Sequence, residues 1–401
     1  MQIAGIIAEY NPFHLGHAYQ IQQTRNALGQ DAGIICAMSG NFVQRGEAAI
    51  MNKWARAECA LRCGADLVLD LPTSWASASA ERFARGGVAL LAATGLVDRL
   101  SFGCEGELSD LQAAADCLLT PEYEAALQND KARNLPFAAA RQAAAAGLIG
   151  SGADCLSLPN NNLAVEYLKA LRRLGSEISP LAIPRKGAPH DGETPADGFA
   201  SASAIRRRLL EQDYEGAAEF LPRDCAEVPA RELVLAHAPA SLANAERAIL
   251  TRLRTMTEAD FAALPDSGAA EGLPSRMVAA ARDASNLTEF YDAAKTKRYA
   301  HARIRRLVLW AFLGLRAEDC PEEPPYLHVL GMSGRGKALL RRMNKTCALP
   351  VITKPAHARK LPPEALAIFE AEAHYTDLYA LCTPAVRPCG LEWTQGPLVL
   401  R

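Results

Sequence analysis

Two histidines separated by a leucine and a glycine give the strongest chemical signal in this sequence. The segment His14-Leu15-Gly16-His17 follows an apolar run at 3–8 that predicts a buried strand, and it precedes a helical pattern. The amino end of a helix offers unpaired N–H groups and a positive dipole, which suit phosphate. Two imidazoles there can stabilise the charge that grows during phosphoryl or nucleotidyl transfer. The alternative is that both histidines only cap a helix or fill the core.

A second segment, Ser201-Ala202-Ser203-Ala204-Ile205-Arg206, has the residue types of a further phosphate site. Ser201 or Ser203 can cap the helix predicted from Ala204 onward. The exposed N–H groups of that helix and the guanidinium of Arg206 can hold a triphosphate. Taken alone, the segment is explained equally well as an ordinary helix cap followed by a surface arginine.

Strands and helices that alternate along the first part of the chain must position these segments. Apolar runs predict strands at 3–8, 33–38, 66–71 and 99–102, with helices between them at 17–28, 52–63 and 80–93. This alternation predicts an α/β fold with a Rossmann-like parallel sheet. Ligands bind such sheets beyond the carboxyl ends of the strands. We therefore expect the loops 9–16, 39–47 and 103–107 to converge.

The remaining pattern is mostly helical. Residues 108–150 are rich in alanine and predict a helical insertion, which is followed by a helix at 163–174 and a strand at 178–183. The segment 184–199 has the composition of a loop. We place a first, catalytic domain at 1–222 and a second, mostly helical and basic domain at 223–401, with strands at 326–330 and 349–353.

The composition is that of an ordinary globular protein, since 49% of the 401 residues are hydrophobic and 22% are charged. It excludes collagen-like, wholly disordered and small disulfide-stabilised classes. Eleven cysteines without a CxxC pair favour reduced thiols and argue against a structural zinc site. We find no signal peptide, and the longest apolar run has nine residues, far short of the ~20 that span a bilayer. We therefore expect a cytoplasmic protein without membrane contact.

The charge is distributed unevenly. The whole chain carries −2, but residues 291–360 contain 15 Lys and Arg against 5 Asp and Glu, a net +10. A basic segment in an otherwise acidic chain favours a local anionic partner such as RNA. Solvated faces of surface helices explain the same charges equally well.

The strand–turn–helix with His14 and His17 resembles the HxGH nucleotidyltransferase superfamily, and the segment up to Arg206 resembles its second signature. A closer resemblance is to the tRNA(Met) cytidine acetate ligase family, dense over residues 1–210 and sparser to about 350. It is carried by Ala8-Glu9-Tyr10-Asn11-Pro12-Phe13-His14, Met38-Ser39-Gly40-Asn41-Phe42-Val43-Gln44-Arg45-Gly46-Glu47, Lys53-Trp54-Ala55-Arg56-Ala57-Glu58, Gly64-Ala65-Asp66-Leu67-Val68-Leu69-Asp70-Leu71-Pro72, Ser101-Phe102-Gly103, Pro159-Asn160-Asn161, Lys297-Arg298-Tyr299 and Arg303-Ile304-Arg305-Arg306.

This resemblance implies a reaction. The family activates acetate with ATP, which gives acetyl-adenylate and pyrophosphate, and then acetylates N4 of the wobble cytidine in elongator tRNA(Met). The chain would therefore use ATP with Mg²⁺, and its other substrates would be acetate and the tRNA. We see no dedicated set of carboxylates for the metal, and such sites often rely on nucleotide phosphates and water.

The resemblance also implies site residues. The implied catalytic residues are His14, His17 and Arg206. The implied nucleotide-binding residues are Ile7, Ala8, Glu9, Tyr10, Asn11, Pro12, Phe13, His14, Leu15, Gly16, His17, Gly103, Asn160, Asn161, Arg185, Ser201, Ser203 and Arg206. Weaker candidates for binding acetate or tRNA are Gln44, Arg45, Lys53, Lys297 and Arg298.

Three positions depart from the family pattern. Ala48, Asn52 and Cys104 stand where the family pattern has Pro, Asp and Ser. Asn52 keeps the capacity to form hydrogen bonds but lacks the charge of an Asp. An electrostatic role at that position would therefore be lost in this chain.

Two other functions remain open at this point. A nucleotidyltransferase that acts on a small phosphorylated metabolite would share both motifs but would gain little from the basic segment 291–360. A non-catalytic RNA-binding protein would be expected to have broken motifs, and these are intact.

One glycine-rich segment falls one residue short of a P-loop. It is Gly331-Met332-Ser333-Gly334-Arg335-Gly336-Lys337-Ala338, in which Ala338 replaces the hydroxyl residue that binds magnesium. A contact to a phosphate backbone or a plain glycine-rich turn would explain it.

Overall fold

A mixed β-sheet forms the centre of the computed structural model, which describes residues 1–131, 137–186, 198–296 and 299–400, without the side chains of 130, 131, 159 and 160. The strands are β1 (Ile3–Ala8), β2 (Gly33–Ser39), β3 (Phe42–Val43), β4 (Glu47–Ala48), β5 (Leu67–Leu71), β6 (Arg99–Cys104), β7 (Ser179–Pro184), β8 (Leu327–Met332), β9 (Val351–Ile352) and β10 (Leu398–Val399). Their order in the main sheet is β10-β8-β5-β2-β1-β6-β7, with β9 beside β8, while β3 and β4 form a separate hairpin.

Five parallel strands occupy the middle of this sheet, in the order β5-β2-β1-β6-β7. This is the order of a Rossmann half-domain extended by two strands, β6 and β7, on the far side of β1. β2 and β5 are buried along their whole length, so they appear in the sequence as continuous apolar runs. The predicted Rossmann-like sheet is confirmed.

Helices pack on the sheet and form the rest of the molecule. They are α1 (Leu15–Leu28), α2 (Lys53–Arg62), α3 (Thr73–Ala76), α4 (Ala80–Ala93), α5 (Leu108–Cys117), α6 (Pro121–Lys131), α7 (Phe137–Ile149), α8 (Pro159–Arg173), α9 (Ala202–Leu210), α10 (Tyr214–Ala218), α11 (Glu227–Val234), α12 (Glu246–Thr255), α13 (Glu258–Ala262), α14 (Leu273–Asp283), α15 (Leu287–Ala294), α16 (His301–Leu313), α17 (Gly334–Thr346), α18 (Pro355–Ala358), α19 (Pro363–Tyr379) and α20 (Leu391–Thr394). Short 3₁₀ turns lie at Gly150–Ser157, Arg223–Cys225, Leu242–Ala245, Ala269–Glu271, Ala317–Asp319 and Ala380–Cys382.

Both faces of the sheet are covered. Side chains alternate across a strand, so Ile3 and Ile7 pack into one core with α4 and α8, whereas Ala4 and Ile6 pack into another with α1 and α2. The insertion between β6 and β7 is helical, as predicted, and consists of α5, α6 and α7 before α8. Each strand of the parallel set is thus fixed between two helical layers.

The region after residue 222 is mostly helical, as predicted, and has its own core around Ile249, Phe290 and Trp310. Its strands nevertheless belong to the main sheet. β8 pairs antiparallel with β5, and β10 pairs with β8. The domain boundary at 222 stays a prediction, since the sheet itself draws on both parts of the chain. None of the described helices is long and apolar enough to cross a membrane.

Candidate active site

A cavity of about 450 Å³ lies at the carboxyl edge of the parallel strands, beyond the ends of β1, β6 and β7. The loops that the sequence analysis directs to this edge do meet there. Of the predicted site residues, those that line the cavity are Ile7, Ala8, Glu9, Tyr10, Asn11, His14, Gly16, His17, Gln44, Arg45, Gly103, Arg185, Ser201, Ser203 and Arg206. The cavity therefore unites both sequence motifs.

The two histidines are held by the first turn of α1. His14 is the N-cap residue, and its Nδ1 accepts the N–H of Gly16 at 3.0 Å. The Nδ1 of His17 accepts the N–H of His14 at 3.2 Å, which completes a capping box. The rings stack with their centroids 3.8 Å apart. Because each Nδ1 is an acceptor, the hydrogen of each neutral ring lies on Nε2.

His17 is kept neutral by its surroundings. Burial lowers the pKa of His17 well below its ordinary value, and the neighbouring His14 and Arg185 lower it further. The ring packs against Tyr10 and Phe13, with centroids 4.9 and 5.5 Å away. A neutral imidazole donates its Nε2–H without giving up a proton. His17 is thus suited to bind a phosphate oxygen rather than to act as an acid.

The second motif also lines the cavity. Ser201 is the N-cap of α9, and its Oγ accepts the N–H of Ala204 at 3.1 Å. Arg206 donates to the carbonyl oxygen of Asn11 at 2.8 Å and to Ser203 Oγ at 3.2 Å. The guanidinium therefore ties the second motif to the loop of the first. Both helix amino ends face one volume, which is the arrangement that a polyphosphate requires.

The electrostatics of the cavity favour an anion. Among the described lining residues, the cationic side chains are Arg45, Arg185, Lys186 and Arg206, whereas Glu9 is the one carboxylate. Burial raises the pKa of Glu9, although the N–H of Gln44 and the charge of Arg206 oppose this rise. Glu9 Oε1 accepts that N–H at 2.9 Å. The excess of positive charge suits a nucleoside triphosphate. The carboxylate of Glu9 does not attract phosphate, so it must have a different role.

The whole chain has relatives of known type. Residues 1–391 match the family model described as HIGH Nucleotidyl Transferase. The tRNA(Met) cytidine acetate ligases of Thermoanaerobacter sp. (strain X514) and Acetivibrio thermocellus are 36% and 34% identical, with full coverage of both chains in each case. The chain belongs to the tRNA(Met) cytidine acetate ligase family. Another member, from Caldanaerobacter subterraneus, is 37% identical over 95% of each chain.

Solved structures of this family have the same fold. The crystal structure of Thermotoga maritima TmcAL bound with alpha-thio ATP is 33% identical, covers all of both chains and superposes with a TM-score of 0.92. The apo form of the same protein gives a TM-score of 0.94 at the same identity and coverage. The family resemblance seen in the sequence is confirmed.

Some residues of the predicted nucleotide-binding segment do not line the cavity. Pro12, Phe13 and Leu15 are absent from its lining; Phe13 is buried against Tyr10 and contributes to the core. Their family motif is therefore partly structural. The buried side chains of Pro12 and Phe13 anchor the segment in the protein interior and so hold the neighbouring lining residues in place.

Asn161, one member of the predicted asparagine pair, does not line the cavity. Asn161 is fully buried, donates from Nδ2 to the carbonyl oxygen of Glu105 at 2.7 Å and accepts the Glu105 N–H at 2.9 Å. It positions the loop after β6 instead of lining the cavity, whereas Asn162 does line it. The side chain of Asn160 and residues 297 and 298 lie outside the described part of the structure. The predictions for Asn160, Lys297 and Arg298 therefore stay predictions.

Lys53 is not a substrate-binding residue of this cavity, contrary to the sequence prediction. It begins α2, is fully buried and donates from Nζ to Asp70 at 2.5 Å and to Glu392 at 2.7 Å. Burial acts to lower the pKa of Lys53, but the two carboxylates raise it above its ordinary value. The prediction was wrong because these partners lie 17 and 339 positions away in the sequence.

Asp70, His328 and Glu392 could in principle bind a metal, since their ligand atoms lie within 4.8 Å of one another. The ammonium group of Lys53 is bonded to both carboxylates, however, and takes the position of a cation. This group is an ion-pair network inside the protein. It stands apart from the described lining of the active-site cavity.

The departures from the family pattern have local explanations. Asn52 is the N-cap of α2, where its Oδ1 accepts the N–H of Ala55 at 3.0 Å, and asparagine caps helices as well as aspartate does. Its Nδ2 donates to Glu232 at 3.3 Å, a bond that an aspartate could not form. Ala48 is buried in β4, and Cys104 Sγ contacts the Gly106 carbonyl oxygen. None of the three lines the cavity in the described part of the chain.

The P-loop-like segment is a structural turn. Ser333 caps α17 and donates to Asp66 Oδ1 at 3.0 Å, so a carboxylate already lies at this helix start. A Cβ on Gly336 would come within 1.9 Å of the Asp66 carbonyl oxygen. Because the cap of α17 is bonded to Asp66, an anion at this turn would meet a carboxylate.

Sequence reasoning missed several lining residues. Lys186 lies directly after Arg185 beyond β7, with its Nζ 5.3 Å from the ring centroid of Tyr19. Phe199 packs near the same ring, at 6.0 Å between centroids. Lys186 could have been predicted from the sequence, because two adjacent cations, Arg185 and Lys186, follow a predicted strand. Phe199 gave no signal, because its approach to Tyr19 depends on the fold.

Proposed function

We propose that this protein uses ATP and acetate to acetylate N4 of the wobble cytidine in elongator tRNA(Met), through an acetyl-adenylate. The observation that carries the proposal is the cavity in which the histidine pair of α1 faces Ser201, Ser203 and Arg206 at the start of α9. The relatives with this name support the choice of substrates, and the alpha-thio ATP in the Thermotoga maritima structure supports the nucleotide. A tRNA substrate also supports a cytoplasmic location.

In the first step, a carboxylate oxygen of acetate attacks the α-phosphorus of ATP. The bond from this phosphorus to the bridging oxygen breaks, and pyrophosphate leaves. His14 and His17 would donate their Nε2–H groups to phosphate oxygens, where negative charge grows. Arg206 and the start of α9 would hold the leaving pyrophosphate. These roles use only neutral or permanently charged donors, so no proton needs to move.

Magnesium would accompany the nucleotide. The donor set fits a metal held chiefly by phosphate oxygens and water, because the described lining offers a single carboxylate, that of Glu9. When bound, the ion would neutralise charge on the triphosphate. The protein residues that face the same phosphates are the histidine pair, Arg185 and Arg206.

In the second step, N4 of the cytidine attacks the acetyl carbonyl carbon. The new C–N bond forms, the C–O bond to the adenylate breaks, and AMP leaves with the electron pair. The attacking amine must lose a proton. Glu9, as the carboxylate of the described lining, would accept this proton from N4, and its raised pKa makes it a better base than an ordinary glutamate.

The test is the transfer of labelled acetate to acid-precipitable tRNA by the purified protein with ATP and magnesium. His17→Ala removes one of the donors to the α-phosphate, and loss of such a donor costs about 10²- to 10³-fold in rate. We expect label in tRNA with the wild type, none without ATP, and near-background incorporation with the variant.

The control is His17→Asn, whose amide oxygen still accepts the N–H of His14 but which has no donor at the Nε2 position. We expect it to unfold at the same urea concentration as the wild type and to be as inactive as His17→Ala. Full turnover by either variant would overturn the catalytic assignment. A folded wild type that labels no tRNA would overturn the proposed function and favour a nucleotidyltransferase acting on a small metabolite.

A further inference from the structure

A chain of ion pairs leads from the active-site cavity to the helical region of the C-terminal half. Glu47, in β4, lies 3.8 Å from the guanidinium of Arg206 and also pairs with Arg305 of α16. The turn between β3 and β4, which carries Arg45, rests on α16, because a Cβ on Gly46 would come within 2.5 Å of backbone atoms of Arg305. The first turns of α16 therefore adjoin the cavity.

Aromatic rings and an arginine lie together beside the first turns of α16. The rings of Tyr291 and His301 have centroids 5.6 Å apart, and the guanidinium carbon of Arg305 lies 5.6 Å from the Tyr291 centroid. All three side chains are half-buried, so each presents part of its surface to solvent. We call Tyr291, His301 and Arg305 the mouth cluster.

The mouth cluster contains a neutral ring and lies beside several cations. Burial lowers the pKa of His301, and the charges of Arg305 and Lys295 lower it further. The chain from 295 to 306 has six Lys and Arg and no Asp or Glu. An uncharged imidazole beside a tyrosine and an arginine plane offers surfaces on which nucleobases stack, and the nearby cations suit phosphates.

We propose that the mouth cluster binds the single-stranded nucleotides next to the cytidine that enters the cavity, by stacking their bases on His301 and Tyr291. The proposal rests on the proposed function. Sequence-specific binding of RNA targets unpaired loop nucleotides, whose bases can be splayed out and stacked on aromatic side chains and guanidinium planes. A nucleotide that reaches the cavity in such a loop must leave its neighbours outside, against the surface that adjoins the cavity.

The position of the cluster distinguishes it from other basic surfaces of the molecule. α17 also has exposed cations, Lys337, Arg341, Arg342 and Lys345. Its two ends, however, bond to Asp66 and Thr94, which precede strands β5 and β6 at the amino edge of the sheet. The cavity lies at the other edge. α17 therefore provides matched control residues, which have the same charge but lie at the edge of the sheet opposite the cavity.

The experiment measures two half-reactions with the full-length protein. Acetate-dependent exchange of pyrophosphate with ATP reports adenylate formation, and transfer of labelled acetate to an anticodon stem–loop oligonucleotide reports RNA use. Loss of one stacked base weakens binding about 5- to 150-fold, so we expect His301→Ala to raise the KM for the stem–loop by that factor. Pyrophosphate exchange should stay within about two-fold of the wild type, because the nucleotide site is intact.

Two further variants separate stacking from charge. Lys295→Ala should reduce the slope of log KM against log salt by about 0.7, the value for one phosphate contact of a single strand, whereas Lys345→Ala should leave this slope unchanged. His301→Ala should leave the slope unchanged as well, since a neutral ring releases no counterion. The exposed His374 of α19 serves as the control for removal of a histidine.

An abasic substitution identifies the stacked nucleotide. Stem–loops that lack the base on one or the other side of the cytidine should have a higher KM with the wild type than the intact stem–loop has. With His301→Ala, one of these two abasic stem–loops should have the same KM as the intact stem–loop, because the base that it lacks is the one that stacks on His301. An unchanged KM for His301→Ala, or purely additive effects with both abasic stem–loops, would overturn the proposal. A wild type that exchanges no pyrophosphate and labels no RNA would instead contradict the proposed function.

Discussion

The spacing of the two catalytic histidines follows from the geometry of a helix start. His14 is the N-cap and His17 occupies the third helical position, which is the spacing of a capping box. Gly16 lies between them, and a Cβ there would come within 2.9 Å of the His14 ring. The capping bonds use both Nδ1 atoms. The same geometry that begins the helix therefore directs two Nε2–H donors to the phosphate side.

Glu9 carries a prediction about the second half-reaction. In Glu9→Gln the proton acceptor is lost but the shape is kept, so we expect acetyl transfer to tRNA to fall about 10²- to 10⁴-fold. Pyrophosphate exchange, which moves no proton, should change little. Since burial raises the pKa of Glu9 and only the ionised form accepts a proton, wild-type transfer should rise with pH through a midpoint above the ordinary 4.5. The pH–rate profile from about pH 5 to 8 measures this.

The matched control for Glu9 is Glu105, whose carboxylate lies 4.0 Å from Arg185 without lining the cavity. Glu105→Gln should keep the rising pH profile, and Glu9→Gln should flatten it. Equal losses in both half-reactions of Glu9→Gln would show that this carboxylate only shapes the loop at Gln44. Undiminished transfer would remove Glu9 from the mechanism altogether.

At the scale of elements, the sequence predicted what is locally encoded. β1, β2 and β5 are buried almost throughout and appear as apolar runs, and the helices between the strands end at predictable glycines. The hairpin of β3 and β4 was predicted only as a loop. Each of its strands has two residues, and the hairpin packs against α16, which is distant in the sequence. Arg45 and Gln44 were found as candidates, but the element that positions them was not.

The close seat of this hairpin on α16 leads to a prediction for Gly46. Its φ is +74°, and a Cβ would come within 2.5 Å of backbone atoms of Arg305 and Arg306. The left-handed conformation costs an alanine about 1–2 kcal/mol, and the clash should add about 1–3 kcal/mol. Gly46→Ala should therefore lower the free energy of unfolding by about 2–5 kcal/mol and raise the KM for tRNA, as measured by urea unfolding and acetyl transfer.

Gly314 offers the matched control for this substitution. It ends α16 with the same φ of +74°, and a Cβ there would meet no neighbouring group of the described chain within 4 Å. Gly314→Ala should cost only the conformational part, about 1–2 kcal/mol, and leave the KM for tRNA unchanged. If the two variants are equally stable, the hairpin can move away from α16 without loss, and the contact does not position Arg45.

At the scale of the whole molecule, residues near the C-terminus complete the interior of the N-terminal sheet. Glu372 of α19 accepts the N–H of Thr73 at 2.6 Å and its hydroxyl at 2.8 Å. Glu392 of α20 accepts from Lys53 and from Thr376. The two halves of the chain thus share a buried polar network. Removal of one charge from such a network costs about 3–5 kcal/mol, because it leaves its partner buried and unpaired.

This network is the part that local sequence reasoning could not predict. Lys53 follows a loop that leads to the cavity, so it was assigned to the substrate, whereas its true partners come from β5 and α20. The strand at 326–330 was predicted, but its antiparallel pairing with β5 was not. Both failures have one cause: Glu392 and β8 are distant in the chain from the residues they contact, and neither periodicity nor spacing records such contacts.

The network predicts how stability depends on pH. Burial, together with the charge of Asp70, raises the pKa of Glu372 to about 8 from an ordinary 4.5. Between these values the folded protein keeps a proton that the unfolded chain releases, so stability should fall as pH rises, by at most about 1.4 kcal/mol per pH unit. Burial acts to raise the pKa of Asp70, but Lys53 and His328 lower it to about 2, so Asp70 contributes no slope in this range. Urea unfolding from about pH 7 to 8.5 should show the fall in the wild type and in the exposed control Glu364→Gln; at lower pH, His17 and His301, whose pKa values are lowered in the folded protein, give a slope of the opposite sign. In Glu372→Gln the slope should become shallower by the contribution of one proton, and an unchanged slope would mean that Glu372 is ionised in the folded protein.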